Sequence, residues 1–125
     1  MKSNIELARD YADLWKKELR IQDWGITVKP YSGTDCIAKT NAFGYDQDDI
    51  TIIHNRKATI WVNFKLIKDE RMLRRVMLHE LLHIMLSGIV RAPEESHDGS
   101  VYENEVERVI NSLEETISRN AKGVI

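Results

Sequence analysis

Two histidines and one glutamate interrupt an otherwise apolar stretch of the sequence, VMLHELLHIML at Val76–Leu86. Residues four apart lie on one face of a helix, so a helix here would direct His79 and His83 to one point in space. That spacing supplies two ligands for a zinc ion. Glu80 would lie close enough to a water on the same metal to act as a general base without being a ligand.

A buried polar network without a metal is the alternative interpretation of this stretch. His79, Glu80 and His83 lie in a segment that is too apolar to be exposed. An unpaired charge buried there would cost roughly several kcal/mol, so a metal or a set of polar partners has to compensate it. The helical spacing of the two histidines favours the metal.

The pattern HELLH at His79–His83 resembles the HExxH motif of the zincin metallopeptidases. The resemblance implies that His79 and His83 bind Zn²⁺ and that Glu80 is the catalytic residue that polarises the attacking water. It also implies a hydrolase that acts on a polypeptide substrate. A small zincin-like domain of the gluzincin type is therefore expected.

A catalytic zinc usually has three protein ligands and leaves a fourth position for water. The longer metzincin motif would require Gly and His where this chain has Leu86 and Ile89, so that subfamily is excluded. Three residues further along the chain remain as candidates for the third ligand: His97, Glu103 and Glu107.

Two of these candidates, Glu103 and His97, also fit roles that need no metal. Glu103 is the third residue after Ser100, where a helix-capping box already accounts for it. His97 lies in HDGSVY, a segment that faintly resembles the HGxxF-like segment of SprT-type proteases. A loop histidine beside Asp, Gly and Ser is more often solvated. Both residues stay open as alternatives.

Glu107 is the favoured third ligand. The segment Glu107–Leu113, ERVINSL, resembles the ExxANxF segment of ImmA/IrrE-type peptidases and their small phage-encoded relatives. The resemblance implies that Glu107 binds the metal. Asn111, four residues further on, would then face the same way and hold a ligand by a hydrogen bond. These relatives usually continue with a Leu-Leu-Pro segment that is missing here, which leaves their particular substrate in doubt.

Three helices are expected to position these residues. Ser3 and Glu6 form a capping box before a helix that runs to about Leu19. Asp69 can cap a central, buried helix that runs to about Ser87 and carries the HELLH motif. A third, amphipathic helix begins near Ser100 and carries Glu107 and Asn111.

The strand signals lie between the first and second helices. Ile26–Val28 ends before Pro30 as a short strand, and Tyr31–Asn63, which includes Ile37–Tyr45, is rich in turn formers and β-branched residues. Ile50–Ile53 and Ala58–Val62 flank a four-residue turn in the manner of a hairpin. We expect an α+β fold with three or four mostly antiparallel strands. By the zincin resemblance, residues 58–63 would form the edge strand beside the substrate cleft.

Composition limits the remaining possibilities. The 125 residues are 42% hydrophobic and 30% charged, which suits one domain spanning residues 1–125. The net charge of −2 predicts no nucleic-acid partner. Cys36 is the single cysteine, so no internal disulfide can form and a reducing cytoplasm is expected. No apolar run approaches the ~20 residues of a membrane span.

Arg71, Arg74 and Arg75 form a local basic cluster at the start of the HELLH helix. Such a cluster is usually a solvated face, and it can also attract an acidic partner.

The sequence therefore predicts a zinc-dependent peptidase, and two other functions compete with that prediction. A zinc-stabilised, non-catalytic protein-binding module would have no use for a base such as Glu80. A SprT-like protease acting on DNA-bound proteins would need a basic surface that a net charge of −2 does not readily supply.

Overall fold

The computed structural model describes residues 2–41, 55–87 and 99–120, with side chains in the last range from residue 105 onward. The elements in these ranges follow a simple order along the chain: α1 (Asn4–Glu18), β1 (Gly25–Pro30), β2 (Ala38–Thr40), β3 (Lys57–Val62), a short 3₁₀ helix (Phe64–Leu66), α2 (Glu70–Leu86) and α3 (Gly99–Asn120). This arrangement confirms the predicted α+β class and its three helices.

Helix α1 begins at the predicted cap and packs against α2. The Ser3 hydroxyl accepts a hydrogen bond from the Glu6 backbone N–H at 3.4 Å. Trp15 is fully buried, and its indole Nε1 donates to the Arg74 carbonyl in α2 at 3.0 Å. The chain leaves the helix through Arg20, whose positive φ of 59° turns it toward β1. A buried, hydrogen-bonded tryptophan therefore fixes α1 to the helix that carries HELLH.

The three strands form a mixed sheet in the order β1-β3-β2. Strand β1 pairs with β3 in parallel, with Val28 opposite Ile60. Strand β2 pairs with β3 antiparallel, with Ala38 opposite Val62. The central strand β3 buries Ala58, Ile60 and Val62 on one face, as its alternating sequence predicts.

The sheet differs from the expected mostly antiparallel one because β1 and β3 run in the same direction. The long connection over residues 31–56 leaves room for the crossover that parallel pairing requires. The predicted edge position of residues 58–63 is wrong, since β3 has a neighbour on each side. The predicted strand Ile50–Ile53 lies outside the described residues. The predicted turn at residues 54–57 begins outside the described residues, and its last residue, Lys57, already belongs to β3.

Helix α2 is the central helix, as predicted. The Asp69 carboxylate caps it by accepting from the Met72 backbone N–H at 2.7 Å. Its core side chains are almost completely excluded from solvent: Leu73, Met77, Leu78, Leu81, Leu82 and Ile84. Helix α3 packs against α2 and buries Val106 and Ile110. Within the described residues, none of the helices has the length and apolar character needed to cross a membrane.

Candidate metal centre

The face of α2 that is turned toward α3 carries the two histidines of the HELLH motif. Glu107 reaches them from α3 with both carboxylate oxygens. Its Oε1 lies 2.6 Å from His83 Nε2 and its Oε2 lies 3.2 Å from His79 Nε2. One ligand atom from each of the three residues lies within 4.8 Å of the others, so they form a group able to hold a metal ion.

The donor set suits a catalytic type of metal site. Two imidazole nitrogens and one carboxylate oxygen are the three-ligand set of several catalytic zinc centres. The Glu107 side chain is 45% exposed, whereas that of His83 is 4% exposed. Of these candidate ligands, His83 therefore lies in the protein interior and Glu107 lies on the solvent side.

His79 is held from behind by a carboxylate that was not predicted from the sequence. Its Nδ1 donates to Glu114 Oε1 at 2.9 Å, and Arg75 Nη2 donates to Glu114 Oε2 at 2.9 Å. An ionised carboxylate only accepts hydrogen bonds, so His79 carries its proton on Nδ1. Its Nε2 is then directed at Glu107 and is available to a metal. Such contacts orient histidine ligands and increase their basicity.

The charges around this chain of contacts shift two pKa values in opposite directions. Burial raises the pKa of Glu114, but His79 and Arg75 outweigh it and hold that pKa below its ordinary value. Burial lowers the pKa of His79, but the Glu114 hydrogen bond and the nearby carboxylates of Glu80 and Glu107 outweigh it and raise the pKa. Glu114 is therefore ionised and holds a proton on Nδ1 of His79.

For His83, burial outweighs the nearby carboxylate, so its pKa shifts in the direction opposite to that of His79. Burial in the protein interior holds the pKa of His83 below its ordinary value, although the Glu107 carboxylate acts against this. At neutral pH the imidazole is therefore uncharged, which is the form that binds a metal.

Glu80 is a buried carboxylate beside this group. It is only 6% exposed, and its Oε2 has no hydrogen-bond partner among the described residues. Burial raises the pKa of Glu80 to about 7, partly opposed by His79 and reinforced by Glu107 and Glu114. A carboxyl group with this pKa can accept and release a proton near neutral pH.

A cavity of about 570 Å³ opens onto His79 and Glu80. It extends along α2 toward Asp69, at the beginning of that helix. The opposite wall comes from Ile37 and Ala38, at the beginning of β2. The candidate metal centre therefore borders a space that is large enough for part of a ligand.

The structure brings most of the residues selected from the sequence to one place. His79, His83 and Glu107 converge, and Glu80 lies beside them. The side chains of His97 and Glu103 lie outside the described residues. The Asn111 side chain is exposed and forms no hydrogen bond with a described residue, and Glu114 occupies the supporting position that was predicted for Asn111.

Helical spacing contains a signal that favours Glu114 over Asn111. With about 3.6 residues per turn, a residue seven positions after Glu107 is offset from it by about 20° around the helix, and one four positions after by about 40°. Glu114 therefore shares the face of Glu107 more closely than Asn111 does.

The fold and the site together define an α+β domain with a candidate His–His–Glu metal centre between two helices. No protein-family model, curated protein or solved structure matches this chain.

Proposed function

We propose that this protein is a zinc-dependent metallopeptidase. The observation that carries the proposal is the buried Glu80 carboxylate, which has an oxygen without a described partner and lies beside the group formed by His79, His83 and Glu107. A site that only stabilised the fold would need ligands but no free carboxylate. A hydrolytic site needs both.

The chemistry of the ligands supports zinc. Imidazole nitrogen and carboxylate oxygen together suit Zn²⁺, and structural zinc sites are typically closed by four ligands rich in cysteine. Zinc bound by His79, His83 and Glu107 would supply a Lewis acid for the scissile carbonyl and an activated water. The HExxH pattern, which resembles the zincin motif, points to the same metal.

The side chains have separate roles in this proposal. His79, His83 and Glu107 bind the metal, and Glu114 holds His79 in the tautomer that binding requires. Glu80 accepts the proton of the attacking water on its carboxylate and then transfers it to the leaving amine. Its burial beside the metal ligands places the Glu80 carboxylate where both proton transfers are needed.

The first test is the metal content of the purified protein, measured by elemental analysis. We expect one zinc per chain, lost in His79→Ala and in Glu107→Gln. Glu115→Gln is the matched control, since Glu115 is exposed on the same helix and pairs with Arg119. The same measurement on Glu103→Gln tests the alternative third ligand.

The second test separates catalysis from metal binding. Glu80→Gln should keep its zinc and lose peptidase activity by about 10²- to 10⁴-fold, measured on an unfolded protein substrate. A Glu80→Gln protein that cleaves at the wild-type rate would contradict the proposed mechanism. A wild type that binds zinc but cleaves no polypeptide would favour a non-catalytic binding module.

A further inference from the structure

The cavity continues well beyond the candidate metal centre. Arg71, Arg75 and His79 are four residues apart and share one face of α2, and all three line the cavity. With a rise of 1.5 Å per residue, Arg71 lies about 12 Å along the helix from His79. An extended peptide that starts at the metal centre would reach Arg71 after about three or four residues.

The charges at the far end of the cavity are unevenly paired. Arg75 donates to Glu114, so its charge is already matched. Asp69 uses its Oδ1 to cap α2 through the Met72 N–H. The Arg71 side chain is exposed, and no hydrogen bond or ion pair joins it to any described residue. Among the described arginines of the cavity wall, Arg71 is therefore the one whose charge is available to an anionic group.

The walls between the two ends are apolar. Met72 and Val76 face the cavity from α2, and Ala38 of β2 faces it together with the preceding residue, Ile37. Ile37 is 38% exposed and offers an apolar surface to a bound ligand. The cavity therefore has the candidate metal centre at one end, an apolar middle, and at the other end a cation that has no partner among the described residues.

We propose that this cavity binds the substrate polypeptide in an extended form and that Arg71 selects an acidic residue three or four positions from the cleaved bond. This inference rests on the proposed peptidase function and adds a substrate class to it. Two arginines of the basic cluster at the start of α2 therefore have different roles. Arg71 contacts substrate and Arg75 supports His79 through Glu114.

Arg74 provides a matched control because it belongs to the same cluster but does not line the cavity. Its carbonyl accepts the Trp15 hydrogen bond from α1, and only its backbone takes part in that contact. Arg74→Gln removes the same charge as Arg71→Gln from the same helix. Any difference between the two variants therefore reports the position of the charge and not the net charge of the protein.

Binding can be measured without cleavage. Fluorescein-labelled octapeptides of Ala, Ser and Leu, with Glu, Gln or Lys placed at each position in turn, are titrated with zinc-loaded Glu80→Gln protein and followed by fluorescence anisotropy. At one position we expect the Glu peptide to bind about five-fold more tightly than the Gln peptide, the upper range for an exposed ion pair. The Lys peptide should bind most weakly, and added salt should reduce the differences.

The arginine variants, made in the Glu80→Gln protein, decide the assignment. Arg71→Gln should bind the Glu and Gln peptides equally, Arg71→Glu should prefer Lys, and Arg74→Gln should keep the Glu preference. A Glu preference at no position, or one that survives Arg71→Gln, would overturn the proposal.

Cleavage mapping separates this proposal from the proposed function. Wild-type protein is incubated with unfolded casein, and mass spectrometry identifies the residues around each cleaved bond. Cleavage without enrichment of Asp or Glu near the bond would overturn the role of Arg71 and leave the peptidase intact. An Arg71-dependent Glu preference in binding, with no cleavage by wild type, would overturn the peptidase and leave the peptide site intact.

Discussion

The two sides of α2 are built on different principles. One side belongs to the hydrophobic core, where Leu73, Leu81 and other side chains pack with α1 and the sheet. The other side faces α3, which adds Val106 and Ile110 to the same core. This side also carries the polar contacts of His79 and His83 with carboxylates. Apolar packing does not depend on protonation or on metal, whereas the polar contacts depend on both. The core side therefore keeps α2 in place independently of the polar contacts that His79 and His83 form on the other side.

The largest expected effect comes from weakening the core side. Leu81→Ala removes a fully buried side chain next to Glu80 in the sequence and should reduce the free energy of unfolding by about 2–5 kcal/mol. Chemical denaturation of the metal-free protein measures this loss. Leu66→Ala, at a 43% exposed position, is the control and should change stability by about 0.5 kcal/mol or less. Equal losses in both variants would show that the core does not include this face.

The next largest effect is the contribution of Glu80 to the free energy of unfolding, which depends on pH. Glu80 has an ordinary pKa of 4.5 and a native pKa of about 7, so between these values the native state keeps a proton that the unfolded chain has lost. The stability due to Glu80 is complete below the lower value and falls as pH rises toward the higher one. At neutral pH and above, the metal-free Glu80→Gln protein should gain about 3 kcal/mol relative to wild type.

Urea denaturation of both metal-free proteins at about pH 5, 6 and 8 measures this difference. The other titrating groups, such as His83, are present in both proteins and largely cancel. Parallel curves for the two proteins would show that Glu80 is not desolvated in the native state.

A smaller effect is expected on metal affinity alone. Glu114→Gln replaces an ionised acceptor of His79 Nδ1 with a neutral amide and should weaken zinc binding by about 10- to 100-fold. Competition with a chromogenic chelator measures this change. Asn111→Ala, on the same helix, should leave the affinity unchanged. A larger loss in Asn111→Ala than in Glu114→Gln would restore the role that the sequence predicted for Asn111.

The smallest effect should separate stability from metal binding. Ser3→Ala removes the cap of α1, on the core side, and should cost about 1 kcal/mol of stability. Thermal unfolding measures this loss, and zinc affinity should not change. A change in zinc affinity would mean that the two sides of α2 are not independent.

Local signals in the sequence were enough to place the main helices and the metal candidates. Ser3 and Asp69 cap helices as predicted, and HELLH is helical and buried apart from a partly exposed His79. These features depend on residues only a few positions apart. The direction of β1 relative to β3 depends on a connection of many residues, and no short pattern encodes it. The strand expected at the edge therefore lies in the middle.

Side-chain contacts between helices were harder to predict. The choice between Glu114 and Asn111 as the partner of His79 depends on how α3 is rotated against α2, and both residues are polar and close together in the sequence. Spacing alone limited the candidates to one face of the helix. Glu114 shares the face of Glu107 more closely than Asn111 does, and it contacts His79 across the interface while Asn111 remains exposed.

The origin of Glu107 on a different helix from His79 and His83 has a mechanical consequence. A metal held by all three residues would be a cross-link between α2 and α3, closing the segment from His83 to Glu107 as a loop. Hydrogen exchange should then slow in the backbone amides of α3 when zinc is added, while those of α1 change little. Loss of the metal would first release α3 from its partner helix, with the core around Trp15 and Leu81 still folded.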